Sequence, residues 1–103
     1  MKFDSSTNKL RANGAKTLAG ALKGNQVMQE LNIADNELSW DANRNDDMSG
    51  VIAISDAIPT MGALTSLNLA KNQLGAEGAK HVAKAIKVHV SALQFVWYHL
   101  SLI

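Results

Sequence analysis

Apolar residues recur in this chain at a repeated set of steps. Met28, Leu31, Ile33 and Leu38 are followed by the same series at Leu64, Leu67, Leu69 and Leu74. In each series an asparagine, Asn36 or Asn72, stands two positions before the last member. Residues 31 and 33, and 67 and 69, alternate with polar neighbours, which is the pattern of a short strand with one buried face. Behind each series lies a segment of small and apolar residues, Gly50–Ile58 or Gly78–Ile86, and a matching one, Gly14–Leu22, lies near the N-terminus. There Gly14, Leu18, Ala21 and Leu22 stand at i, i+4, i+7 and i+8, which predicts one face of a helix. Pro59, the single proline, follows Ile58 and fits a helix stop.

The first residues complete a third series. Asn8-Lys9-Leu10 matches its end, with Phe3 and Ser5 at the preceding inward positions. Asn8 and Asn36 are 28 residues apart, Asn36 and Asn72 are 36 apart, and self-similarity near such a period is the mark of a repeat architecture. Each unit reads as strand, turn, helix, turn. One unit cannot bury both its faces, so stacked neighbours supply the rest of the core. The asparagines sit where the chain leaves the strand, where a side-chain amide satisfies turn backbone groups that no ladder reaches.

This combination resembles the ribonuclease-inhibitor-like subfamily of leucine-rich repeats, over residues 3–92, and residues 66–87 are similar to a consensus unit. The resemblance implies an α/β fold: a short right-handed leucine-rich repeat solenoid, or horseshoe, with parallel strands on the concave side and helices on the convex side. It implies one domain over 1–103, with units at 1–27, 28–63 and 64–91 and an edge strand or tail at 92–103. Proteins of that subfamily do different things, so the resemblance specifies fold more than task.

Composition narrows the function classes. A chain of 103 residues with 47% apolar residues is one modest globular domain. A net charge of +1 argues against nucleic acid or an anionic membrane as partner. The absence of cysteine excludes disulfides and thiolate zinc sites, and together with the missing cysteine-rich caps of extracellular repeats it predicts a cytoplasmic protein. Met1–Ser6 has no apolar signal core, and no stretch approaches a membrane span.

Three places depart from the pattern. The chain opens partway through a unit, which predicts either that Met1–Ser5 is itself an edge strand or that the chain is a piece of a longer array. Between Leu38 and Gly50 lie eight more residues than between Leu74 and Gly78, an insertion at 39–47. Such insertions on the strand-to-helix rim often carry binding, and Trp40 is its aromatic candidate anchor. The simpler expectation is that Trp40 folds back on the coil edge while the acids cap the next helix. Asp41, Asn43 and Asn45 have the first three spacings of a calcium loop, but Asp46 replaces the required glycine and Ile52 the twelfth-position glutamate. The third departure is the tail. A 29-residue step puts Leu93, Val96 and Tyr98 inward; a 28-residue step puts Phe95 and Trp97 inward. Either choice leaves large apolar side chains uncovered, which predicts self-association through this C-terminal edge, with a plain edge strand as the alternative.

No catalytic constellation appears. His81, His89 and His99 lack metal spacing, and His81, beside Val82 on a helix, is expected to face solvent. No cofactor motif is present. The subfamily includes activating proteins of the Ran GTPase, which makes a GTPase-activating regulator a remote alternative; Arg11 and Arg44, the only arginines, are its candidates. What is left is the outward side of the strands: Gln29, Glu30, Asn32, Ala34 and Asp35 in one unit, Thr65, Ser66, Asn68, Ala70 and Lys71 in the next. These residues are small, polar and nearly neutral, and are either merely solvated or a shallow protein-binding face. The leading expectation is a non-catalytic protein-interaction module; the alternative is a fragment or minimal structural unit that self-associates through its ends.

Overall fold

The computed structural model describes the backbone of residues 1–92 and 99–101 and the side chains of residues 1–88. Among the described residues, four short strands form one parallel sheet in chain order: β1 (Lys2–Asp4), β2 (Glu30–Asn32), β3 (Ser66–Asn68) and β4 (His99–Ser101). Between them run α1 (Arg11–Leu22), α2 (Ser49–Ala57) and α3 (Gly75–Ala92). Parallel neighbours need a crossover, and here each crossover carries a helix.

The register follows the repeat. Phe3 pairs with Leu31, and Leu31 with Leu67, so equivalent positions lie side by side. Leu31, Leu67, Ile33 and Leu69 are all 2% exposed or less and join one core with Val51, Ile54 and Leu22 from the helices. The helices thus cover the face of the sheet that carries Leu31 and Leu67. Glu30, Asn32, Ser66 and Asn68 alternate to the other face and are half-buried. Within Met1–Ser5, Lys2–Asp4 forms β1, the first strand of the sheet among the described residues.

Turns after the strands are tied together by the asparagines. Asn72 is 1% exposed; its Oδ1 accepts the Asn36 backbone N–H at 2.7 Å, and its Nδ2 donates to the carbonyls of Ile33 at 2.9 Å and Leu69 at 3.0 Å. Asn36 repeats this one unit earlier: it accepts the Asn8 N–H at 2.9 Å and donates to the carbonyl of Ser5 at 2.9 Å. The turns need this help because their backbone is contorted. Thr7, Asp35 and Lys71, at equivalent places, have φ of 60°, 55° and 58°, as do Lys9, Glu37 and Gln73 two residues on, at 50°, 53° and 54°. Left-handed backbone costs a non-glycine residue free energy, so it persists only where its surroundings over-determine it.

Helix packing corrects one sequence reading. The buried residues of α1 are Ala12, Ala15, Ala19 and Leu22, whereas Leu18 and Gly14 are half-buried and Ala21 is exposed. The cause is the neighbour. Gly50 of α2 lies so close that a Cβ there would stand 2.8 Å from the Ala12 Cα and the Ala15 Cβ. Small side chains on both helices permit that approach, and it rotates the predicted face toward α2.

Two further corrections concern the C-terminal half. The predicted helix at 78–86 starts earlier and continues to Ala92. The tail register is neither of the two expected ones, because Leu100 is the partner of Leu67. Phe95 and Trp97, the expected association residues, lie outside the described residues. Pro59 does end α2, in a single turn of 3-10 helix at Ile58–Thr60.

Candidate functional site

The sequence nominates the outward strand residues, and the structure gathers only some of them. Glu30, Asn32, Ser66 and Asn68 line a shallow depression of about 390 Å³ on the helix-free face of the sheet. Its remaining walls are Lys2, Phe3, Asp4 and Leu31.

Hydrogen bonding divides the work of the two asparagines. Asn32 Oδ1 accepts the Ala34 N–H at 3.1 Å, and Asn68 Oδ1 accepts the Ala70 N–H at 3.0 Å, which closes the first turn after each strand. The Nδ2 of each has no partner among the described residues, so two amide donors face the depression on adjacent strands. Asp4 supplies an acceptor. The backbone N–H and hydroxyl of Ser6 hold its carboxyl below the usual carboxylate range, so it stays ionised. Lys2 Nζ lies 3.0 Å from Glu30 Oε2, but both side chains are well exposed, and such a pair contributes little to stability. The depression is therefore rich in hydrogen-bonding groups, close to neutral and open to solvent.

Other nominated residues lie apart from it. Gln29 is exposed, with its Oε1 3.2 Å from the N-terminal ammonium of Met1. Thr65 directs its hydroxyl toward the Gln29 carbonyl at 3.4 Å. Asp35 and Lys71 are exposed turn residues in left-handed conformation rather than strand residues. Lys2 and Asp4 were missed by sequence reasoning. Their signal was present, since Phe3 at an inward position makes both neighbours outward.

The insertion is a small folded hairpin. Trp40 forms an antiparallel bridge with Asp46, and Asp47 N–H donates to the Ser39 carbonyl at 2.8 Å. Asp41 Oδ1 accepts the N–H groups of Asn43 at 2.8 Å and Asn45 at 2.9 Å, so this carboxylate is committed to the loop itself. Asp47 bonds the hydroxyl of Ser49 at 2.6 Å and its N–H at 2.9 Å, which pulls its carboxyl below the usual range at the start of α2. Trp40 is half-buried at the coil edge, and its carbonyl accepts the Ala12 N–H at 2.9 Å. It lies outside the walls of the depression.

This geometry refines what deletion of the loop will do. Replacing Asp41–Asp46 by a two-residue turn is expected to leave the fold intact, because surface loop length costs little. Removing Trp40 as well would orphan the Ala12 N–H. Calcium titration of the intact protein should leave its melting temperature unchanged; a rise of several degrees at sub-millimolar calcium would overturn this assignment. Among the described residues no group of three histidines, cysteines or acids is placed to hold a metal ion.

Arg11 is also committed. Its Nε lies 3.1 Å from Glu37 Oε2 and its Nη1 3.5 Å from the Ala42 carbonyl, with both side chains of the ion pair mostly covered. An arginine held this way bridges the first two units and does not project toward a partner. Arg44 is exposed in the hairpin. His81 is half-buried, not fully solvent-facing as expected, in a groove between α2 and α3 with Ser55 and Asp56. No helix among the described residues is long and apolar enough to cross a membrane.

Residues 64–83 match the family model described as Leucine Rich repeat. That span holds Leu64, Leu67, Leu69, Asn72 and Leu74, the positions buried in β3 and its turn, together with the first half of α3. No curated protein matches the chain.

Proposed function

We propose that this chain is a non-catalytic protein-interaction module of the ribonuclease-inhibitor-like kind, and that it binds another protein through the helix-free face of its sheet. The observation that carries the reading is the depression itself. Glu30, Asn32, Ser66 and Asn68 are presented at alternate positions of two parallel strands, with two amide donors free and no catalytic or metal-binding group among them. A rigid, polar, nearly neutral ledge suits the backbone and small polar side chains of a protein segment better than it suits phosphate. Nucleic acid and membrane are accordingly not the partners in this reading, and the absence of cysteine favours a cytoplasmic location. The solenoid extends the same logic, since each added unit lengthens the ledge.

Self-association through the C-terminal edge, with Phe95 and Trp97 as anchors, is the second reading; it rests on the apolar composition of residues 93–98. The GTPase-activating alternative loses its best candidate, because Arg11 is tied to Glu37 and Ala42.

The test is paired variants in binding assays against proteins of the source cell. Glu30→Arg with Asn68→Arg should abolish capture of a partner by the immobilised chain without changing its circular dichroism. Lys80→Glu with Lys84→Glu, on the exposed side of α3, should leave capture intact. The reverse pattern would move the binding surface to the helices and refute this reading.

A further inference from the structure

The open end of the stack at β1 and α1 carries a second surface, separate from the sheet face. Phe3, Leu10, Gly14, Leu18 and Ala21 line an almost wholly apolar groove of about 430 Å³ between β1 and α1. Phe3 is 37% exposed, among the more exposed large hydrophobics of the described residues. The repeat shows what such positions are built to do. Gly14, Leu18 and Ala21 are equivalent to Gly50, Ile54 and Ala57 of α2, all of which are buried, with Gly50 pressed on Ala12 and Ala15 of α1. Among the described residues, the same face that packs α2 onto its neighbour is thus uncovered on α1, beside the outer edge of β1.

We infer that this surface is a homodimer interface, in which a second copy of the chain docks across a two-fold axis through β1. The occupant is identified by charge and by backbone direction. Gln29 N–H donates to the Met1 carbonyl, and Ser5 N–H donates to the Asn32 carbonyl, so the polar backbone groups of Met1 and Ser5 face β2. By alternation Phe3 faces β2 as well, while the N–H and C=O groups of Lys2 and Asp4 face outward from the edge. An antiparallel partner strand centred on Phe3 then sets Lys2 opposite Asp4 of the second copy and Asp4 opposite its Lys2. Both are pairs of the closely hydrogen-bonded kind, with opposite charges. The two Phe3 residues meet in the closer, non-hydrogen-bonded pair. A two-fold axis perpendicular to the sheet keeps both helix layers on one side, so the α1 helices meet antiparallel over Gly14, Leu18 and Ala21. The interface is self-complementary, as two-fold symmetry demands. A head-to-tail arrangement, with β1 against the outer edge of β4, lacks this reciprocal pairing, because β4 (His99–Ser101) carries no acid to set opposite Lys2. The assembly places the two polar depressions, each walled by Lys2 and Asp4, side by side on one continuous sheet; it does not rest on their proposed use.

One strand edge and one helix face of about 18 Å make a small interface, so the dimer belongs to the weak class. Sedimentation of the full chain from about 1 to 100 μM should show a monomer–dimer equilibrium in that range. Ala21→Arg, at an exposed position, should shift it to monomer with an unchanged circular dichroism spectrum. Lys2→Asp and Asp4→Lys should each weaken association by about tenfold or more, since each sets like charges opposite one another. Mixing the two single variants, or combining both changes in one chain, should restore it, because opposite charges then meet again. A wild-type chain that stays monomeric throughout overturns the proposal. So does a dimer indifferent to these changes but abolished by Phe95→Ser with Trp97→Ser, which would place the contact at the C-terminal edge.

Discussion

Leu67→Ala is expected to cost roughly 2–5 kcal/mol, the range for removing a leucine from a packed core when the cavity only partly collapses. Leu67 is fully buried, lies in register between Leu31 and Leu100, and shares the core with Ile54, Leu64 and Leu69. Its neighbours on both sides are held by the sheet ladder, so the site has little freedom to close up. Small domains keep only about 5–15 kcal/mol of net stability, so the variant should melt at much lower urea or be unfolded outright. Val27→Ala is the control: Val27 is 57% exposed, and its loss should move the midpoint very little. Equal midpoints for Leu67→Ala and the parent protein would contradict the core described here.

Asn72→Ala should be comparably damaging for a different reason. No large volume is lost, but the buried N–H of Asn36 and the carbonyls of Ile33 and Leu69 lose the side chain that satisfies them. Each buried polar group left without a partner costs about 1–3 kcal/mol, so a total of roughly 3 kcal/mol or more is expected. Asn72→Asp keeps the acceptor for Asn36 but loses both donors and sets a carboxylate against two carbonyl oxygens, so it should not rescue. Asn8→Ala tests the same sequence position in an exposed setting. The Asn8 side chain bonds only Ser5 and Ser6 of its own turn, and its loss should cost less than about 1 kcal/mol. Urea unfolding of the three variants with Asn36→Ala should rank Asn72 and Asn36 far above Asn8. Equal losses at all of them would show that the amides act locally, within each turn, and would sink the cross-unit account.

These two residues were legible in the sequence because each stands in a pattern that only one environment satisfies. Alternating leucines flanked by polar residues force a strand face, and an asparagine at a fixed offset after them marks the turn. The α1 face was misread for a physical reason. In a helix written largely in alanine and glycine, several faces are almost equally apolar, and Gly50 on the neighbouring helix decides between them. Sequence does not display that approach, because it joins residues from two units. The tail register failed because Leu93 to Leu100 offers apolar residues on both parities, so period alone cannot choose, and the true start of β4 depends on where α3 stops. Of the candidate site, Glu30, Asn32, Ser66 and Asn68 followed from strand alternation. Lys2 and Asp4 follow from the same alternation about Phe3, but in a short edge strand with three exposed residues no buried face marks it.

The asparagine bonds also give the molecule a polarity. Asn36 closes the turn that contains Asn8, and Asn72 closes the turn that contains Asn36; in neither bond does the earlier residue serve the later one. Each unit is therefore finished by its successor. Loss of a later asparagine side chain strips bonds from the turn before it, while loss of an earlier one leaves the bonds of its successor's amide in place, because those end on backbone groups. A gene that grew by duplicating such units would carry this one-way dependence with every copy. Drift at an asparagine that serves no preceding turn would be tolerated more readily than drift at one that does.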